Sequence, residues 1–421
     1  MSLRDSFCSS PWLHMRITND GGMTYCRWSD KTNTQANIRD TSPAEFFQQH
    51  MSGIRASMLS GESPAGCTEC HQMELRHKVS GRQKQLLKVG VRLDRFEKTL
   101  ASSPWVNTFV DPDFTQLPQD WQIDLGNYCN SACVFCSPVS SSKLATEWKK
   151  LGFIDQLPLP NWTDEPALIA KFVETLKQSA HIQYLHFIGG ETVITPAFKI
   201  ILGALVQAGL NRTATIGFTT NLVSWDDEVV ELLTQFGGVN LGMSIEAFDA
   251  VNDYVRWPAK LPKVTETLAR WQKLAKKHNW LVQFRTTPTV LTIGKLLSVY
   301  EFAWHENISV ESCNFLWQPE FMQPSVLPMS QRQQVIDQMT SWIAAHSTNT
   351  ETIVNIRDPN MAQQQMVQDL QSYVNYLKNE ADNSYRLPDL IAFLKKLETN
   401  RGNSVVNYLP EYEELFRTAG Y

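Results

Sequence analysis

The chain has 421 residues, 43% of them hydrophobic and 19% charged, with a formal net charge of -5. That length exceeds one ordinary core and implies a globular protein of two or more domains. The mildly acidic balance excludes a global basic field, so it argues against broad binding to nucleic acid or anionic lipid.

The amino terminus, "MSLRDSFCSSPW", has no apolar signal core. The run "IILGALVQAGL" from Ile200 is too short to span a bilayer. A cytoplasmic location without membrane contact is therefore expected. In that reducing compartment clustered cysteines point to metal binding or catalysis rather than disulfides. No internal repeat or low-complexity tract stands out.

Residues 1–100 are polar and carry Cys8, Cys26, Cys67 and Cys70. "NDGG" at 19–22 reads as a hairpin turn that brings Cys8 and Cys26 together. "TSPAEFFQQHMSGIRASMLSG" reads as a helix capped by Ser42, opened by Pro43 and ended by Gly61. The basic run "LRHKVSGRQKQ" at 75–85 reads as a solvated face. Residues 101–120, with three prolines and no period, read as a linker.

From Trp121 short apolar segments alternate with amphipathic ones. "WQIDL", "IQYLHFIGG", "TATIGFTTN", "GVNLGMSIE", "WLVQFRTTPTV" and "ISVESCNFLW" read as strands. "ALIAKFVETLKQ", "PAFKIILGALVQAG", "DDEVVELLTQF", "KVTETLARWQKLAKKH" and "IGKLLSVYEFAWHE" read as the helices between them. This alternation over 121–325 predicts an α/β fold with a parallel sheet and right-handed crossovers, either open or a partial barrel. Cys313, on the last strand, is expected in the core. Residues 326–421 read as a helical extension.

In parallel α/β folds chemistry gathers at the carboxyl ends of the strands. There stand "GNYCNSACVFCSP" after the first strand, "GGE" (Gly189, Gly190, Glu191) after the second, "TTN" ending in Asn221 after the third, and "SIE" (Ser244, Ile245, Glu246) after the fourth. Cys129, Cys133 and Cys136 fit a helical face by spacing, but the surrounding Gly, Asn, Ser and Pro resist a helix. Three thiolates with no nearby histidine suit an iron–sulfur cube with one iron left open. Four thiolates, as Cys8, Cys26, Cys67 and Cys70 provide, suit equally a closed structural zinc site.

The spacing Cys129-x3-Cys133-Val134-Phe135-Cys136 resembles the signature of the radical SAM superfamily. The resemblance implies a partial (β/α)6 TIM-like barrel and a [4Fe–4S] cluster on those three cysteines. It also implies S-adenosylmethionine (SAM) on the open iron, a 5′-deoxyadenosyl radical, and hydrogen abstraction from substrate. "GGE" looks like the family's SAM amino-group motif. By the same likeness Ser244 and Arg256 would hold the SAM carboxylate or ribose, with Glu246 and Asn221 as further contacts.

Cys8-x12-Gly21-x4-Cys26 followed by Cys67-x2-Cys70 resembles the twitch module, a shortened relative of the SPASM domain. It implies a small α+β module with an auxiliary [4Fe–4S] cluster, here placed before the barrel. Relatives with such modules imply net oxidation or crosslinking of a peptide side chain, with a flavodoxin- or ferredoxin-type electron donor. A dehydrogenase or isomerase of a small aminated sugar or other metabolite is the alternative. An iron–sulfur or zinc redox or binding module without radical chemistry is the alternative of another class.

Overall fold

The structure, a computed structural model, describes residues 3–27, 29, 36–75, 80–111, 116–179, 181–311, 316, 318–347 and 359–421, the side chains of 359–362 excepted. Cys313 and part of the basic run at 75–85 lie outside the described residues. The chain divides into two compact units. One comprises Met1–Asn127, Leu159–Phe218 and Asp226–Val239; the other comprises Tyr128–Pro158, Thr219–Trp225 and Asn240–Tyr421.

In the first unit β1 (His14–Ile17) and β2 (Gly22–Thr24) form the expected hairpin, and β3 (Ala36–Asn37) adds to β2. β1 then pairs in parallel with β4 (Asp120–Asp124), β4 with β5 (Tyr184–Ile188), and β5 with β6 (Thr215–Thr220). The N-terminal residues therefore extend the α/β sheet instead of standing apart from it. Met15, Ile17, Trp121, Ile123, Leu185, Phe187, Ile216 and Phe218 alternate onto one fully buried face. The helices Pro166–Gln178 and Pro196–Gln207 cover it, with Phe172 5.8 Å from Trp121 and Phe198 5.1 Å from Phe187, ring centre to ring centre. The opposite face is polar: Arg16 pairs with Asp124, Gln122 Nε2 donates to Asp124 Oδ1, and His186 stands opposite Gln122.

Where a linker was expected, Val106–Val110 is a helix. Its Phe109 is 1% exposed and packs 5.1 Å from Phe7 and 5.6 Å from Trp12. That one aromatic anchors a segment whose prolines suggested no structure. The helix from Pro43 runs to Leu59 with one wide π turn at Phe46–His50; Ser42 caps it by accepting from the Glu45 N–H.

In the second unit β7 (Gly238–Ser244, from Asn240), β8 (Leu281–Arg285) and β9 (Ser309–Glu311) run parallel. Leu241, Met243, Phe284 and Val310 are buried on one face. Gln283, Arg285 and Glu311 stand on the other, joined by an Arg285–Glu311 ion pair of 2.8 Å. Among the described residues the extension holds mainly helices. Met329–His346 packs on Pro359–Asn379, which lies against β9; Leu387–Arg401 and Glu413–Thr418 follow. No helix among the described residues is long and apolar enough to cross a membrane.

Candidate cluster site

The cysteine loop has no regular structure of its own, so its shape is imposed by hydrogen bonds from outside. Cys129 N–H donates to Ser142 Oγ at 3.2 Å, and Ser141 Oγ donates to the Ser131 carbonyl at 2.6 Å. Ala132 N–H and Val134 N–H donate to the carbonyls of Trp257 and Val255, each at 2.8 Å. Asn221, expected as a further SAM contact, ties this loop: its Nδ2 donates to Asn130 Oδ1 at 2.8 Å and Ser131 Oγ at 3.0 Å.

Arg256 joins the cysteines to the end of β7. Its Nη1 stands 3.7 Å from Cys133 Sγ, its Nη2 stands 3.3 Å from Glu246 Oε1, and its guanidinium lies 5.7 Å from the Phe135 ring centre. Glu246 is 1% exposed and its other oxygen accepts from Thr287 N–H at 2.7 Å. Burial pushes the Glu246 carboxyl up to about 7 against the pull of Arg256. Ser244 ends β7 in register with Arg285. Burial also pushes the Cys136 thiol up to about 12, reinforced by charge repulsion from Cys133 and Cys129. Three thiols on one short loop, with a guanidinium beside Cys133, are a donor set whose chemistry suits an iron–sulfur cluster. Among the described residues no three His, Cys, Asp or Glu side chains already stand in metal-holding geometry.

"GGE" lies in the first unit, after β5. Gly190 N–H donates to the Gly126 carbonyl at 2.9 Å, and Leu125 N–H to Ile188 at 2.7 Å, so the ends of β4 and β5 are laced together. Glu191 is 1% exposed and caps the turn Thr192–Ile194 through Val193 N–H at 3.4 Å, the helix-start role its position allows.

In the same unit Cys8, Cys26, Cys67 and Cys70 line one cavity, as the hairpin turn and the C-x2-C spacing require. Cys67 and Cys70 flank the start of the helix Thr68–Leu75. Burial raises the thiols of Cys8, Cys67 and Cys70. Two residues on that cavity had no signal in the sequence. Tyr25 Oη is 3.5 Å from Cys67 Sγ, and Arg82, paired with Glu74 at 2.5 Å, donates to the Arg4 and Phe7 carbonyls. Tyr25 precedes a cysteine and Arg82 sits in a basic run, so neither carries a period or motif.

Residues 123–302 match the description of the radical SAM superfamily. That segment is a radical SAM domain. The chain resembles the sporulation killing factor maturation protein SkfB of Bacillus subtilis, 23% identical over 192 residues. The match covers 43% of this chain and 42% of SkfB, so the chain spans under half of that curated relative's length. Among solved structures, Streptococcus suis SuiB is 13% identical with a TM-score of 0.35, covering 80% of this chain and 69% of SuiB. SuiB bound to its precursor peptide SuiA is 16% identical with a TM-score of 0.34, covering 80% of this chain and 69% of that one.

Proposed function

We propose that the chain is a radical SAM enzyme that oxidises or crosslinks a peptide side chain, its core a partial barrel carrying a second, auxiliary cluster. The observation that carries this reading is the buried junction of the three-cysteine loop with Arg256, Cys133 Sγ on one side and Glu246 on the other. Cys129, Cys133 and Cys136 would hold a [4Fe–4S] cluster. Bound there, that group would supply the electron for reductive cleavage of SAM and hydrogen abstraction from substrate.

The chain's own groups fix the geometry. Arg256 is a permanent, planar cation beside the cysteine loop, suited to a carboxylate of SAM. Glu246 holds that guanidinium in place, and Ser244 and Glu246, at the end of β7, would contact the carboxylate or ribose of SAM. By the resemblance, Gly189 and Gly190 would let a ligand approach the backbone at the end of β5, and Glu191 would accept from an ammonium. Cys8, Cys26, Cys67 and Cys70 would close around a fully ligated auxiliary cluster that accepts an electron from the substrate radical. A flavodoxin- or ferredoxin-type donor, in a compartment that keeps thiols reduced, completes the electron supply. The relative named as a maturation protein supports a peptide substrate over a small metabolite.

Anaerobically reconstituted protein with dithionite and SAM is expected to release 5′-deoxyadenosine. Intact clusters without that product would overturn the radical reading in favour of a redox or binding module. Iron remaining in Cys129→Ala/Cys133→Ala/Cys136→Ala protein supports the auxiliary cluster; zinc with no iron replaces it by a structural site.

A further inference from the structure

The C-terminal extension reaches the cysteine loop through a buried cation. Arg401, in the last turn of the helix Leu387–Arg401, is 2% exposed in its side chain, and Glu147 of the helix Ser142–Lys150 is 5% exposed. Arg401 Nε donates to Glu147 Oε1 at 2.9 Å and Nη2 to Oε2 at 2.6 Å, a forked pair. The same Nη2 donates to the Ala132 carbonyl at 2.8 Å. Ala132 lies immediately before Cys133. Its N–H is held by the Trp257 carbonyl at 2.8 Å, so both polar groups of this one peptide residue are fixed from outside the loop. The Arg401 guanidinium also lies 5.0 Å from the Trp257 ring centre, with Lys143 Nζ 5.1 Å from that ring.

The end of the extension helix is itself immobilised. Asn400 Nδ2 donates to Glu147 Oε1 at 3.0 Å. Glu398 accepts from Tyr254 Oη at 2.8 Å, Tyr421 Oη at 2.8 Å and Val405 N–H at 2.6 Å. Burying an ion pair is a poor route to stability, because desolvation offsets the attraction and apolar packing serves as well. What the pair adds here is a directed donor on the peptide beside Cys133, in a loop that no helix or strand shapes.

We propose that Arg401, oriented by Glu147, is a positioning residue of the cluster site, so that the C-terminal extension forms part of that site. The inference rests on the reading that Cys129, Cys133 and Cys136 hold a cluster. With the clamp gone, the loop samples wider separations of its sulfurs, and the cluster is held less tightly. Removing an outer partner of a metal ligand typically costs about tenfold or more in metal retention.

The test uses the full-length reconstituted protein and three variants. Arg401→Ala leaves Glu147 buried without its partner and is expected to lose stability as well as cluster. Arg401→Ala/Glu147→Ala removes both charges, and Arg401→Lys keeps a charge without the fork. For the double variant the expected result is near wild-type thermal unfolding together with about tenfold faster iron release to a chelator. The SAM-induced change in the electron paramagnetic resonance signal of the reduced protein should shrink with it. Arg401→Lys should restore neither. A folded double variant with wild-type iron release and an unchanged SAM response overturns the clamp. Wild-type protein that shows no SAM-responsive iron signal overturns the underlying cluster reading instead, and the clamp falls with it.

Discussion

Gly189 and Gly126 meet backbone to backbone, and that contact sets how closely "GGE" lies on the loop leaving β4. Gly189 has φ +144, and a Cβ there would stand 2.6 Å from the Gly126 carbonyl oxygen. A methyl group costs twice, once in the left-handed region and once in the clash with backbone that cannot swing away. Gly189→Ala is therefore expected to destabilise the protein by about 2 kcal/mol in urea unfolding; an unchanged midpoint would show that the two strand ends separate freely. Glu246 makes a second prediction at this scale. Its folded pKa, about 7, lies above the ordinary 4.5 because burial outweighs Arg256. The folded state then binds more protons than the unfolded state between those values, so stability falls as pH rises through that window. Over the whole window the loss amounts to about 3 kcal/mol. Glu246→Gln should abolish it, so the stability of the cluster-free wild type minus that of the variant should decline from pH 4.5 to 7. A difference independent of pH would show the carboxylate already ionised by its Arg256 partner.

The hairpin of β1 and β2 is the element that returns Cys26 toward Cys8. Its turn is closed by Thr18 N–H to the Gly22 carbonyl at 2.7 Å and Gly21 N–H to Thr18 at 2.8 Å. Gly21 has φ +86, and a Cβ would stand 2.9 Å from both Asn37 Oδ1 and Ile38 Cγ2. Gly21→Val should therefore open the turn and abolish metal at the N-terminal cysteines while the three-cysteine loop keeps its own. Metal counts on the variant, with and without Cys129→Ala/Cys133→Ala/Cys136→Ala, read this directly; full N-terminal occupancy would show that the turn does not bring the cysteines together. This hairpin was legible because "NDGG" is local chemistry. β4 to β9 were legible because apolar residues such as Trp121 and Ile123 recur at strand spacing. The helices Thr68–Leu75 and Gly81–Lys88 were not: the first buries only Cys70 and the second only Gly81, Arg82 and Leu86, so neither shows an apolar stripe. The pairing of β1 with β4 was hidden for a related reason, since His14 and Arg16 occupy the polar face of β1. At the site, the cysteines and "GGE" announce themselves by spacing. Arg401 touches a residue 269 positions away in sequence and leaves no local pattern.

At the scale of the molecule, the N-terminal cysteine module and the parallel sheet share one unit, which decides whether the module folds alone. In favour of autonomy, all four cysteines and Arg82 lie before residue 83. Against it stands the full parallel ladder of β1 on β4, from His14 opposite Asp120 to Ile17 opposite Ile123, extended by Gln119 N–H to the Leu13 carbonyl at 3.1 Å. Phe7 and Trp12 also pack on Phe109, Arg16 pairs with Asp124, and Lys171 Nζ donates to the Ile38 carbonyl at 2.9 Å. A chain cut at residue 100 would lose every one of these contacts and expose Met15 and Ile17 on an open edge. A fragment of that size has little core to spare, and the metal would have to supply the deficit. Residues 1–100 expressed alone are therefore expected to show no cooperative unfolding transition without metal and to aggregate through the β1 edge. Circular dichroism with thermal melting, and size exclusion before and after anaerobic iron and sulfide addition, check this. A monomeric fragment that melts cooperatively without metal would mean that the sheet contacts are dispensable and that the four cysteines belong to an independent domain.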